Sequence, residues 1–478
     1  MSVWRIENGT VRSDWRVVRA AASILARGRL VVALRQEGDT WAVSKPGALP
    51  SVYRQLPLLG GPTLPGWAVI DGHFEVEQER RSIHVTGKAE RPLRGAFGAL
   101  GGLMQLANRE SWINGFRIAQ LAVPAEVIGD TAIKVWTNAL SSVAVALSQL
   151  PLVHTARGDK LPCAQDTDHE KYADFIQRPL SGATYNELWE LAAASTESDP
   201  PNKEISEGWS EVGEGWEKLG VKISWVDPKL VGERACHEVK EVSQLKVDGD
   251  PYEWLARYLD AVGKTWKAVG TTKAHVVNLL PDQHGILCDA GKLRRDSGVT
   301  ERVKDISADI GLDLRSQLLD LRLVERLREN GLTSGLYAIQ EASEEELTEA
   351  DAVAALVQRL SAALPDDQKL TEKNEKAASA TITLLSHLWN TQGKAAEHVA
   401  FGIPLLAADG TARMPGRRRV MAPPVAAWPE PAQPFADAYP PSRVLSDRYA
   451  TPEQPSWKLS RRGESRTRHC SSRPLARR

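Results

Sequence analysis

Asp250-Pro251-Tyr252-Glu253-Trp254-Leu255-Ala256-Arg257-Tyr258-Leu259-Asp260-Ala261-Val262-Gly263-Lys264-Thr265-Trp266 is the stretch with the clearest structural reading. Asp250 can cap a helix, and Pro251 fits its first position, where a missing N–H costs little. Glu253 stands where a capping-box acid belongs. Tyr252, Leu255, Leu259, Val262 and Trp266 recur at helical spacing, so the spacing predicts a helix over 251–268. Further helices fit Thr300 to Ile310, Leu314 to Leu327, Thr348 to Leu364 and Asn374 to Leu388. Residues 251–400 therefore read as a mostly helical domain.

N-terminal to that helix the pattern changes. A helix fits Trp15 to Arg27, with Val17, Val18, Ala21, Ile24 and Leu25 on one stripe. Strand-like runs follow at Leu30 to Leu34, Thr40 to Val43, Trp67 to Ile70 and Ser82 to Val85. Residues 92–150 look helical, with Pro124 opening a new helix. Arg157-Gly158-Asp159-Lys160 reads as a turn. Together these make residues 1–175 a mixed α/β domain. Residues 176–250 are polar and poorly periodic. Pro200-Pro201 and the charges from Ser195 to Glu207 make that region a linker. Glu207-Gly208-Trp209 and Glu214-Gly215-Trp216 repeat only twice and are not read as a repeat array. Residues 401–459 turn to short strands and prolines. Residues 460–478 hold seven Arg and one Glu and read as a basic, solvated tail, with a nucleic-acid arm or an abnormal end of the reading frame as the alternatives. The fold class expected is mixed α/β at the N-terminus, a mostly α-helical middle and a small β-containing C-terminal region.

Composition excludes several classes. Among 478 residues, 60 Lys and Arg balance 61 Asp and Glu, which gives no whole-chain signal for nucleic acid or anionic membrane. The four cysteines, Cys163, Cys236, Cys288 and Cys470, form no C-x-x-C pair, so neither a disulfide framework nor a zinc site is expected. No window has the apolar length of a membrane span or a signal core, and the expected setting is the cytoplasm. Fifteen Trp exceed eight Tyr and six Phe, and most are assigned to core packing.

Catalytic motifs are sparse. Gly263-Lys264-Thr265 comes nearest to a phosphate loop, but position 258 is Tyr where the first Gly belongs. Lys264 reads instead as a helix-end cation. Asp227, Glu238 and Lys240 loosely match a metal-dependent nuclease, in which carboxylates hold magnesium, although a solvated helix face accounts for them better. Asp166, Asp168, His169 and Glu170 crowd one loop without a second His at ligand spacing. No metal or cofactor residue is assigned.

Three stretches, taken in order, carry a resemblance. Leu64-Pro65-Gly66-Trp67-Ala68-Val69-Ile70-Asp71-Gly72-His73-Phe74 leads to Glu79-Arg80-Arg81. Ser111-Trp112-Ile113-Asn114, Ala122-Val123-Pro124-Ala125 and Leu150-Pro151-Leu152-Val153-His154-Thr155 continue it. Leu279-Leu280-Pro281-Asp282-Gln283-His284-Gly285 precedes Gly311-Leu312-Asp313-Leu314-Arg315-Ser316-Gln317-Leu318-Leu319. Ile403-Pro404-Leu405-Leu406-Ala407-Ala408-Asp409-Gly410-Thr411 is the third. The set resembles the sacsin-like family of Bergerat-fold ATPases, relatives of the ninety-kilodalton heat-shock chaperones. Two departures stand out: Ile113 separates Trp from Asn, and Asp282 replaces the usual Asn of a Pro-Asn-Gln-x-Gly turn.

The resemblance implies the region downstream of an ATP-binding domain that this chain lacks. Its Glu-and-Asn helix, Asp-x-Gly-x-Gly loop and Gly-rich lid are not found in the sequence. The chain itself is then expected to have no catalytic activity in isolation and no cofactor, with ATP and Mg2+ belonging to a complete assembly. The expected partners are an ATPase domain supplied upstream or in trans, and protein clients. The bacterial relatives extend the expectation to a defence role. In the related chaperones a middle-domain Arg reaches the terminal phosphate, so the resemblance implies Arg80 or Arg81 as the phosphate-contacting residue; a solvated turn with local ion pairs is the plain alternative. A metal-dependent nuclease and a plain protein-interaction module are the rival functions.

Overall fold

The computed structural model describes residues 5–7, 10–12, 15–23, 27–45, 51–54, 56–58, 61–76, 89–165, 170–178, 182–269, 279–343, 345–392, 402–414 and 445–449. The chain is a mixed α/β protein that divides into two compact units. Residues 1–275 and 325–339 form the first, and residues 276–324 and 340–478 the second. No helix among the described residues is long and apolar enough to cross a membrane.

The first unit opens with a hairpin, β1 (Arg5–Glu7) and β2 (Thr10–Arg12), and a six-stranded sheet. The sheet is built from β3 (Trp15–Ala20), β4 (Gly28–Glu37), β5 (Thr40–Val43), β6 (Val52–Arg54), β7 (Leu56–Pro57) and β8 (Val69–Gly72). Its order is β3-β4-β8-β6-β7, with β5 also on β4. Along β4, Leu30, Val32 and Leu34 turn inward in strict alternation, the period of a half-buried strand. Helices α1 (Glu90–Phe97), α2 (Leu100–Arg109) and α3 (Asp130–Ser148) share a core with that face through Leu93, Leu103 and Trp136.

Two expectations fail here. Trp15 to Ala20 is strand, not helix, and its two adjacent Val residues pair with β4 through Val17↔Ala33 and Val18↔Val32. Pro124 does not open a helix; it lies in a turn in which the Val127 N–H donates to its carbonyl at 3.1 Å, and α3 starts only after Gly129.

The largest departure is the region 176–250. It is not a linker but α4 (Gly182–Ala194), α5 (Lys203–Lys218) and α6 (Pro228–Ala235), followed by α7 (Pro251–Val269). The two Gly-Trp pairs explain it. Seven residues is about two helical turns, so both pairs lie on one face of α5. Trp209 and Trp216 are buried there, with ring centroids 6.4 Å apart. A Cβ at Gly208 would lie 2.2 Å from the Phe116 ring, and one at Gly215 would lie 2.4 Å from the Leu121 carbonyl. Glycine lets the helix approach and tryptophan fills the space beside it.

One supersecondary module recurs three times. Its first hairpin pairs β9 (Val153–His154) with β10 (Lys160–Leu161). The second pairs β13 (Leu280–Pro281) with β14 (Leu287–Cys288), and the third β17 (Leu405–Leu406) with β18 (Ala412–Arg413). In each, the loop's first N–H donates four residues ahead: Thr155 to Asp159, Asp282 to Ile286, and Ala407 to Thr411, all at 2.9 Å. The loop's glycine then donates back, from Gly158, Gly285 and Gly410. These glycines hold φ of 89°, 84° and 75°, which side-chain-bearing residues rarely adopt.

The likeness continues beyond the hairpins. Thr155, Asp282 and Ala407 bridge antiparallel to Pro201, Leu319 and Leu445. The next residues, Asn202, Asp320 and Ser446, donate their N–H to His154, Pro281 and Leu406. Each also accepts from the N–H two residues on, in Glu204, Arg322 and Arg448, and so opens a helical segment. In the first two copies a parallel strand pair follows, β11 (Phe175–Ile176) with β12 (Trp225–Val226) and β15 (Arg295–Ser297) with β16 (Glu346–Thr348). The first module crosses the boundary drawn from sequence at 175, and the first unit runs past the one at 250 to include α7.

The second unit contains α8 (Glu301–Asp309), the first turn of α9 (Leu321–Glu329) up to Val324, the end of α10 (Thr333–Ala342), α11 (Glu349–Ala363) and α12 (Glu375–Gln392). Val303, Leu356 and Leu385 form its core with the third hairpin's Leu405 and Leu406. The predicted helices over 300–310, 348–364 and 374–388 are found. The one expected over 314–327 breaks at Leu318, where the chain is extended and Leu319 bridges the hairpin.

Candidate functional site

The arginines singled out by sequence, Arg80 and Arg81, lie outside the described residues, as do Asp166, Asp168 and His169. The strand that leads toward the arginines is β8, which pairs in parallel with β6 and carries Asp71 in an ion pair with Arg29 at 2.6 Å. Gly263-Lys264-Thr265 is helix interior, not a helix end: Lys264 bridges Glu187 at 2.5 Å and Asp260 at 2.9 Å. Asp227 and Glu238 are not brought together. Asp227 caps the start of α6 by accepting the Leu230 N–H at 2.8 Å, and Glu238 is an exposed turn residue beyond its other end, about 12 Å of helix away. Among the described residues no group of three His, Cys, Asp or Glu could hold a metal ion.

The chemistry concentrates elsewhere, in a cleft of about 560 Å³ in the first module. Its walls are the extended segment leading into β11, the loop before α5, and α6 with His237 beyond its end. Asp174 and Asp199 are both buried, held together by reciprocal contacts: the Asp174 N–H donates to the Asp199 carbonyl at 3.1 Å, and the Asp199 N–H to Asp174 Oδ2 at 3.0 Å. The Arg234 guanidinium forms an ion pair with Asp174 and donates to Ser198 Oγ at 3.2 Å. Ser224 completes the shell, donating to Asp174 Oδ1 at 2.9 Å. Asp174 is therefore a fully compensated carboxylate.

Asp199 is not. Its Oδ1 is buried without a hydrogen-bond partner. The nearest cations are Arg157 Nε at 3.8 Å and Lys171 Nζ at 3.9 Å, both beyond hydrogen-bond reach. Burial raises the Asp199 carboxyl above the ordinary Asp range; Lys171 and Arg157 offset this only in part, and the Asp174 charge adds to the rise. Next to His237 on the rim, burial pushes the Cys236 thiol up to about 12, so it is no ready nucleophile.

Sequence reading missed this site because Asp174, Asp199 and Arg234 are far apart in the chain and follow no known spacing. The available signal was the repeated hairpin, whose alignment would have placed Asp174 and Asp199 on neighbouring backbone. Comparison with protein-family models, with curated proteins and with solved structures found no significant match.

Proposed function

We propose that the chain is a regulatory or scaffold segment of a sacsin-like, chaperone-related ATPase assembly in the cytoplasm, working with an ATP-binding domain supplied upstream or in trans. The observation that carries this reading is the module built three times. Three of the stretches behind the resemblance, at 150–155, 279–285 and 403–411, fall on its three hairpins. Tandem copies of one plan are how scaffold proteins multiply binding surface. ATP and Mg2+ belong to the partner domain in this reading, and a bacterial defence role is its widest form.

The test restores a Bergerat-type ATPase domain by co-expression. The chain should co-purify with it and change its ATP turnover, while the isolated chain hydrolyses none. Arg80→Ala with Arg81→Ala should then lower turnover by roughly 10³, with nucleotide affinity and folding intact. Turnover by the isolated, contaminant-free chain would sink the proposal, as would an ATPase domain indifferent to the chain.

A plain interaction module is the second reading, favoured by the exposed apolar side chains at the start of α3, Ile128 at 86% and Ile133 at 42%. Capture of a partner through that patch with no ATPase domain present would support it.

A further inference from the structure

The cleft around Asp199 has features that building the module does not explain. Five of the side chains that line it are carboxylates, against the cations Lys171 and Arg234 in the lining and Arg157, whose Nε stands 3.8 Å from Asp199 Oδ1. Arg234 is already committed to Asp174. The second module shows that the backbone needs none of this. There Arg294 stands at the position of Asp174 and Gln317 at that of Asp199, and the Arg294 N–H donates to the Gln317 carbonyl at 2.8 Å, the counterpart of the Asp174-to-Asp199 bond. The same route is folded without either carboxylate. Burying Asp199 with an unmet oxygen is costly, so its presence in one copy calls for a reason outside folding.

We infer that this cleft binds a cationic hydrogen-bond donor, an alkylammonium or guanidinium group, with Asp199 as its principal acceptor. Lys171 marks the position. Its ammonium, on a side chain 65% exposed, already leans to within 3.9 Å of Asp199 Oδ2 without completing a hydrogen bond. An incoming donor that displaces it gives Asp199 Oδ2 the hydrogen bond that Lys171 does not complete, a bond that is stronger for carrying charge. The excess of carboxylates favours a cation over an anion. The volume is that of a small-molecule pocket and admits an amine metabolite or one basic side chain of a partner. The same chemistry serves both sources. This inference is independent of the ATPase reading.

The experiment is calorimetric titration of the full chain, at physiological ionic strength, with agmatine, with a hexa-arginine peptide and with an acetylated, uncharged amine as control. Agmatine or the peptide should bind and the control should not. Asp199→Asn should weaken binding about tenfold or more, the loss of one charge-assisted hydrogen bond. Lys171→Met should tighten it severalfold by removing the competing ammonium. Agmatine binding as well as the peptide would identify a small amine as the ligand, and a far tighter peptide would identify a partner's side chain. If Asp199→Asn fails to melt cooperatively, the opposite-signed Lys171→Met result decides. The inference is overturned if neither cation binds, if folded Asp199→Asn binds as the parent does, or if Lys171→Met brings no gain.

Discussion

In the first module the residue entering the parallel strand pair is Asp174, compensated by Arg234; in the second it is Arg294, in an ion pair with Glu345 at 2.9 Å. The buried charge of the second module sits two residues later. Lys304, 1% exposed, meets Asp296 at 2.8 Å. Burial works against the Asp296 charge, but hydrogen bonds from Lys304, from Gln283 at 2.8 Å and from the Val299 N–H hold its carboxyl below the ordinary Asp range. The two copies share their main-chain bonds and differ in which polar groups they bury. Main-chain pairing and the loop glycine set the route, while the interior chemistry is free to diverge. One copy closes its charges completely; the other leaves Asp199 open.

The comparison can be broken most sharply at the buried cations. Arg234→Ala in the first module and Lys304→Ala in the second each strand a buried carboxylate, and each should cost about 3–5 kcal/mol. Hydrogen-exchange protection read in each unit separately checks this, and a loss below about 1 kcal/mol would mean that the pair behaves as a surface pair. Next in size are the loop glycines. Gly158→Ala, Gly285→Ala and Gly410→Ala force a side chain into left-handed backbone and should each cost about 1–2 kcal/mol, with similar drops in melting temperature. A glycine that tolerates alanine freely would remove its hairpin from the set. Smallest are the caps. Asn202→Ala should cost about 1 kcal/mol by denaturant unfolding. Ser446→Ala should cost less, because its bond to the Arg448 N–H is long at 3.4 Å.

Local signals were legible wherever they act over a few residues. The cap and proline at Asp250-Pro251 announced α7, and the Asp250 side chain indeed accepts the Tyr252 N–H at 3.0 Å. Thr348 and Asp351 form the reciprocal box that starts α11. Turn residues placed the loop at Arg157-Gly158. The sequence misled where polarity stood for exposure. Ser195, Ser198 and Asp199 are buried because neighbouring segments, not their own composition, exclude water from them.

By itself, then, the sequence determined the local elements: mixed α/β at the start, helices with their caps, and glycines where the backbone must turn left-handed. These depend on contacts within a turn or two of the chain, which residue identity reports directly. Only the tertiary structure decided that α5 is a core helix, that one module is built three times, and that Asp174, Asp199 and Arg234 share a cleft. Each of those facts rests on pairing across long stretches of chain. Thr155 with Pro201, Asp282 with Leu319 and Ala407 with Leu445 are joined by main-chain geometry, which carries no signature in the side chains.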